Sequence, residues 1–183
     1  MEKNKDNTFR LALSGICLAF TVVTVFLASF VPGVEMTLYL VSSLFVGAVL
    51  IETGLKGGIM LYIAASIMIF IIIPNKLAVI PYVFCFGIYG IVKYLAEKIE
   101  NRPVSFLVKI LFYGVVIGVA LFFFKELFFG NFSLPNYSNY ILLAGGLVVF
   151  LLYDYIYTLG MELYKNRISK NIKKDRKDNF KLS

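Results

Sequence analysis

Nine ionisable side chains lie inside or at the edge of otherwise apolar stretches of this 183-residue chain. Glu52, Lys93, Lys109, Asp154 and Glu162 fall toward one end of those stretches, and Glu35, Lys76, Lys125 and Glu126 toward the other. In apolar surroundings a charged group must pair, line a polar cavity or stretch to the edge. These nine are poor material for catalysis. There is no histidine, no carboxylate pair within one stretch, and no nucleophile with a base at a supporting spacing. No Gly-rich phosphate loop of the G-x-x-x-x-G-K-[ST] type occurs, which excludes ATP hydrolysis by that route. Cys17 and Cys85 both sit in apolar runs and read as packed thiols, neither bridge nor metal ligands. The sequence argues against an enzyme and implies no cofactor and no metal.

Depth along a helix sorts the charges. Lys93 lies sixteen residues past Leu77, and Asp154 sixteen past Ser138. Each is about 24 Å from its end at the α-helical rise. The two share one depth, so a structural ion pair between Lys93 and Asp154 is expected. Lys109 reaches a similar depth from the opposite direction. Both lysines also have a plainer reading, a long side chain snorkelling to the headgroups. Asp154 is short and sits among Tyr153, Tyr155 and Tyr157. It cannot snorkel as far, so its carboxylate needs a partner inside a bundle.

The stretches that hold these residues have the length and composition of membrane spans. Hydrophobic residues make up 60% of the chain and charged ones 16%, against about 25% charged in an ordinary soluble domain. The mean hydropathy is +0.83. A soluble enzyme, a disordered chain and a disulfide scaffold are excluded together. At about 20 residues per spanning helix there is room for about six or seven spans and no second domain. Six are expected, at about 9–31, 34–51, 58–73, 77–96, 104–124 and 140–161. Pro32-Gly33 ends the first, which is too long for a signal-peptide core. Glu52 and Gly54-Leu55-Lys56-Gly57-Gly58 close the second, and Pro74-Asn75-Lys76 the third. Pro81 falls in the first turns of the fourth, where helix N–H groups lack internal partners anyway. No run shows the alternation of a barrel strand. The expected fold class is all-α, a polytopic six-helix bundle over residues 1–164 with a basic tail at 165–183.

Orientation follows from the basic residues. Lys3, Lys5, Arg10, Lys56, Lys93, Lys98, Arg102, Lys109 and the eight Lys/Arg of the tail share one side, sixteen in all, while Lys76 and Lys125 have the other. Both termini are expected in the cytoplasm of a multi-pass protein of the cell membrane. The net charge of +7 is then mostly topogenic, with attraction to anionic lipid. Nucleic acid is a poor partner for the tail, whose single aromatic is Phe180.

Two further groups suggest binding. Ala12, Gly15 and Ala19 form a small-residue face on the first span, suited to close helix approach either inside the bundle or against a partner subunit. On the outer side, Glu35, Asn75, Lys76, Lys125, Glu126, Asn136, Tyr137 and Tyr140 combine charges, amides and aromatic rings. That mixture suits a flat polar organic ligand, and it equally suits a solvated interfacial belt.

Size, span number, both ends inside and the small residues of span one resemble the substrate-binding S components of energy-coupling factor (ECF) transporters. The local parts are Ala12-Leu13-Ser14-Gly15-Ile16-Cys17-Leu18-Ala19 and the Gly-bearing turn in Gly47-Ala48-Val49-Leu50-Ile51-Glu52-Thr53-Gly54-Leu55-Lys56-Gly57-Gly58. The resemblance covers Phe9 to Glu162 in architecture. It implies an S-component-like bundle that captures a vitamin or other micronutrient near the outer face. It also implies docking through helix one, by Ala12, Gly15 and Ala19, onto a transmembrane coupling subunit driven by two ATPases. The alternative is a non-transporting membrane scaffold, similar to the rod-shape-determining membrane subunits of comparable size and span count.

Overall fold

In a computed structural model of the chain, residues 2–31, 33–99, 101–123 and 138–169 are described. Among these the structure is helical apart from short turns, with no strand. The elements are α1 (Glu2–Ala28), α2 (Glu35–Ile72), α3 (Lys76–Pro81), a π-helical stretch (Tyr82–Phe86), α4 (Gly87–Glu97), α5 (Arg102–Phe123), α6 (Ser138–Leu163) and a second π-helical stretch (Tyr164–Ser169). Four helical segments of the described residues are long and apolar enough to cross a membrane: Asn7–Ala28, Glu35–Ile72, Lys76–Glu97 and Gly145–Asn166. In α5 the apolar run Pro103–Val116 is shorter.

The second of these is not one straight rod. Gly54 has φ 79° and ψ −172°, a left-handed backbone that L side chains resist and glycine tolerates. The chain folds back there. Tyr39 near the start of α2 donates its hydroxyl to the carbonyl of Ala78, beyond the end of α2, at 2.6 Å. A straight helix of 38 residues would hold its two ends about 57 Å apart. The glycine turn expected from the sequence is therefore present, but it is tighter than expected. Helix resumes at once, so Gly57 and Gly58 belong to the returning arm.

The chain divides into two units, one of residues 1–94 and 157–183, the other Leu95–Ile156. In the first unit α1 packs along α2 through Cys17, Thr21, Val22, Val25 and Ala28, all buried; apart from the adjacent Thr21 and Val22 they are spaced three or four apart, as one helical face must be. Val25, Tyr39, Ala65, Ile69, Ile73, Val79 and Tyr82 make one core cluster, and Cys17, Val46, Val49, Leu50 and Leu61 contribute to another. In a membrane, where lipid is as apolar as these side chains, such clusters gain from close packing more than from leaving water. Hydroxyls inside the helices bond backward along their own chain: Thr21 to Cys17 O, Ser42 to Tyr39 O and Ser66 to Tyr62 O, at 2.7–2.8 Å. These serine and threonine hydroxyls thus need no water. Both cysteines are free, Cys17 buried and Cys85 half-buried, in keeping with packed thiols.

In the second unit α5 and α6 run antiparallel. Lys109 meets Asp154 at 3.1 Å, and one turn further along α5 Tyr113 packs on Phe150, one turn back along α6, with ring centroids 5.0 Å apart.

Candidate functional site

The irregular helix from Lys76 to Glu97 creates acceptors, and tyrosines fill them. The Tyr82 N–H turns to Val79 O, so Ala78 O loses its α-helical donor and takes the Tyr39 hydroxyl. The Gly87 N–H turns to Tyr82 O, five residues back, so Val83 O is released and takes the Tyr62 hydroxyl at 2.8 Å. Pro81, which cannot donate, starts the disturbance. Gly87 is needed beside it, because a Cβ there would stand 2.9 Å from both Tyr82 O and the Tyr62 ring. Tyr82 itself is fully buried, and its hydroxyl has no partner among the described residues.

Lys93 is the buried cation of the first unit, 2% exposed. Its ammonium donates to Thr158 Oγ1 at 2.6 Å. It also stands 5.5 Å from the ring centre of Tyr157 and 6.0 Å from that of Tyr89, within cation–π range. The two rings meet edge to face. Tyr157 reaches this place through a slot cut by two glycines. A Cβ on Gly90 would be 2.6 Å from its hydroxyl, and a Cβ on Gly47 would collide with the same oxygen and with Met161. Lys93 is thus enclosed by protein, with a hydroxyl and two aromatic faces around its ammonium.

In the second unit the Lys109 ammonium lies 3.1 and 3.3 Å from the two Asp154 carboxylate oxygens and 3.9 Å from Glu97 Oε1. Lys109 thus has a carboxylate partner in Asp154, where the plainer reading gave it only the headgroups. The expected pair of Lys93 with Asp154 joins a residue of one unit to a residue of the other and stays an expectation. Asp154 does have a lysine partner, as its short side chain requires.

The expected docking residues Ala12, Gly15 and Ala19 are all exposed. A Cβ on Gly15 would meet nothing within 4 Å. Leu11, Ile16, Phe20 and Val23 beside them are exposed as well. The small residues therefore do not serve packing within the described chain; the buried side of α1 is the opposite one.

Of the expected outer-side residues, Glu35, Asn75 and Lys76 come to one end of the first unit, because α2 doubles back. Each works at a helix terminus. Glu35 Oε2 accepts from the Gly33 N–H at 2.8 Å, placing an anion at the positive end of α2. Asn75 caps α3 by accepting from the Leu77 N–H at 3.2 Å. The Lys76 ammonium donates to Ile73 O at 2.9 Å and to Phe70 O, closing the last carbonyls of α2. Lys125, Glu126, Asn136 and Tyr137 lie outside the described residues, as do the side chain of Tyr140 and the tail from Lys170 onward. Sequence reasoning missed Tyr39, Tyr62, Thr158 and the paired glycines around Tyr157. The proline in an apolar helix was the one available signal for the first two.

Among the described residues no group of His, Cys, Asp and Glu side chains is placed to hold a metal ion. What the site offers is a buried cation, an ion trio and an uncovered helix face. No protein-family model, no curated protein and no solved structure matches the chain. The class is set by the fold: an all-helical protein whose long apolar helices are compatible with a membrane location.

Proposed function

We propose that the chain is the substrate-binding membrane subunit of an ECF-type importer. It captures a vitamin or other micronutrient at the outer face of the cell membrane and docks on a coupling subunit through α1. The observation that carries this reading is the uncovered small-residue face of Ala12, Gly15 and Ala19. Small residues on a helix face allow another helix to approach closely, and the chain's own described helices leave this face open. Transport needs a motor, and the sequence holds no phosphate loop, so ATPase subunits belong to partners.

Six spans follow if the two arms of α2 each count as one, together with α1, Lys76–Glu97, α5 and α6. The charge bias then puts both termini in the cytoplasm. Glu35, Asn75 and Lys76 are the proposed ligand contacts of the first unit, and Lys125, Glu126, Asn136, Tyr137 and Tyr140 are proposed from the sequence alone. The test is co-purification. The chain, expressed with a coupling subunit and its ATPases, is expected to come out as a complex with a small molecule retained. Purification alone, with neither ligand by mass spectrometry nor ATPase, overturns the proposal.

A second reading is the non-transporting scaffold of the rod-shape-determining kind. It draws support from the filled core near Glu35, where Tyr39, Ile73, Val79 and Tyr82 pack together. It is favoured by stable association with morphogenesis proteins and by no retained ligand.

A further inference from the structure

One carbonyl decides how the helix from Lys76 to Glu97 is wound. Val83 O accepts the Tyr62 hydroxyl at 2.8 Å. In an α-helix its donor would be the N–H four residues on, that of Gly87. The Gly87 N–H bonds Tyr82 O instead, and this makes the wide turn Tyr82–Phe86. Wide turns of this kind are rare, mostly single, and frequent at functional sites. The winding leaves one group unserved. Tyr82 is fully buried, and its hydroxyl has no partner among the described residues, which is unfavourable for a sealed hydroxyl. The neighbouring phenol is that of Tyr62, with ring centres 6.4 Å apart.

We propose that Tyr82–Phe86 is a two-state element, switched between a wide turn and an α-turn by the Tyr62 hydroxyl. In the α-turn the Gly87 N–H takes Val83 O. The displaced Tyr62 hydroxyl turns to the Tyr82 hydroxyl, which then has its partner. Val83 O is satisfied in both forms. The wide turn leaves the Tyr82 hydroxyl alone; the α-turn serves it but must rewind a helix held at both ends. Tyr39 and the caps of Asn75 and Lys76 hold the outer piece, and the Lys93 bond to Thr158 holds α4. These opposing terms are each of the order of a hydrogen bond, so the two forms lie close enough to exchange. Losing the extra residue of the wide turn rotates Asn75 and Lys76 against α4 by about 100°. Gly87 keeps the wide turn open to the chain, because a Cβ there would stand 2.9 Å from Tyr82 O and from the Tyr62 ring. The switch needs no ligand and no partner subunit, so it and the import reading can fail separately.

The test uses the full-length protein in mild detergent, with Phe84 replaced by 4-trifluoromethylphenylalanine. Phe84 lies inside the wide turn and is 56% exposed, so the label reports the winding without crowding the core. Fluorine NMR is expected to show a second signal beside that of the wide turn. Tyr62→Phe strips Val83 O of its hydroxyl donor and should raise the share of the second signal about fivefold, the equivalent of one hydrogen bond. Tyr82→Phe removes the hydroxyl that only the α-turn serves and should lower that share by a similar factor. Gly87→Ala, whose methyl group strikes Tyr82 O in the wide turn, should raise the same signal as Tyr62→Phe does. If Gly87→Ala does not fold, the two tyrosine variants still decide. A single signal in the parent and in both tyrosine variants overturns the proposal. So do shares that neither variant moves, or that both move in the same direction.

Discussion

The Lys109 ammonium stands 3.1 Å from Asp154 Oδ2, across 45 positions of sequence. The pair ties α5 to α6 one turn from the packed rings of Tyr113 and Phe150. Its side chains are only 14% and 21% exposed, so neither charge has water enough to stand alone.

Removing one partner should therefore harm the fold more than removing both. Lys109→Met leaves the Asp154 carboxylate half-buried beside Glu97 and is expected to cost about 3 kcal/mol. Lys109→Met with Asp154→Leu should recover most of that loss, since two apolar side chains replace two charges. Thermal unfolding in detergent measures the cycle. A double variant no more stable than the single one would remove the pair as the cause.

Asp154 shows what the sequence could and could not convey. Its need for a partner was legible, because a short acid in an apolar run cannot reach the edge. Its partner within the second unit was not, because two lysines reach a similar depth. Depth follows from counting residues; which lysine faces the acid depends on helix rotation, which only packing sets. The glycines divide in the same way. Gly54 announced a turn through its neighbours Gly57 and Gly58. Gly15 and Gly47 look alike in sequence, yet the first faces outward and the second admits Tyr157. The Lys125–Tyr140 region, where five of the eight expected ligand residues lie, stays at the level of expectation.

Three tyrosines on the first unit should respond differently to the same change. Tyr39→Phe and Tyr62→Phe each strip a carbonyl, Ala78 O or Val83 O, of its hydroxyl donor. Each is expected to cost about 1 kcal/mol, the scale of hydrogen bonds inside membrane bundles. Tyr82→Phe removes a hydroxyl that is sealed in the core without a partner among the described residues. It should leave stability unchanged or raise it by about 1 kcal/mol. Equal losses for all three, in the same unfolding assay, would contradict the assignment of donors.

The slot around Tyr157 gives a packing test. Gly90→Ala puts a methyl group 2.6 Å from the Tyr157 hydroxyl. The ring cannot retreat, because Gly47 closes the other side. The expected cost is about 2 kcal/mol of overpacking. Tyr157→Phe takes away the crowded oxygen, so Gly90→Ala with Tyr157→Phe should be more stable than Gly90→Ala alone. If the second change adds a further loss, the hydroxyl is not what the methyl group strikes.

Gly15 supplies the contrasting case and bears on function. With nothing within 4 Å of its Cβ position, Gly15→Leu has room in the isolated protein and should leave its unfolding temperature near that of the parent. A partner helix lying on Ala12, Gly15 and Ala19 would meet the new side chain directly. Because close approach is the source of such helix association, a single isobutyl group is enough to separate the helices by more than the contact tolerates. The expected outcome is a folded protein that keeps its ligand and loses its coupling subunit in co-purification, with uptake abolished in cells. Gly47→Leu, where Tyr157 and Met161 occupy the space, should instead unfold the chain. A Gly15→Leu protein that retains its partner would move the docking surface away from α1, whatever the fate of the ligand site.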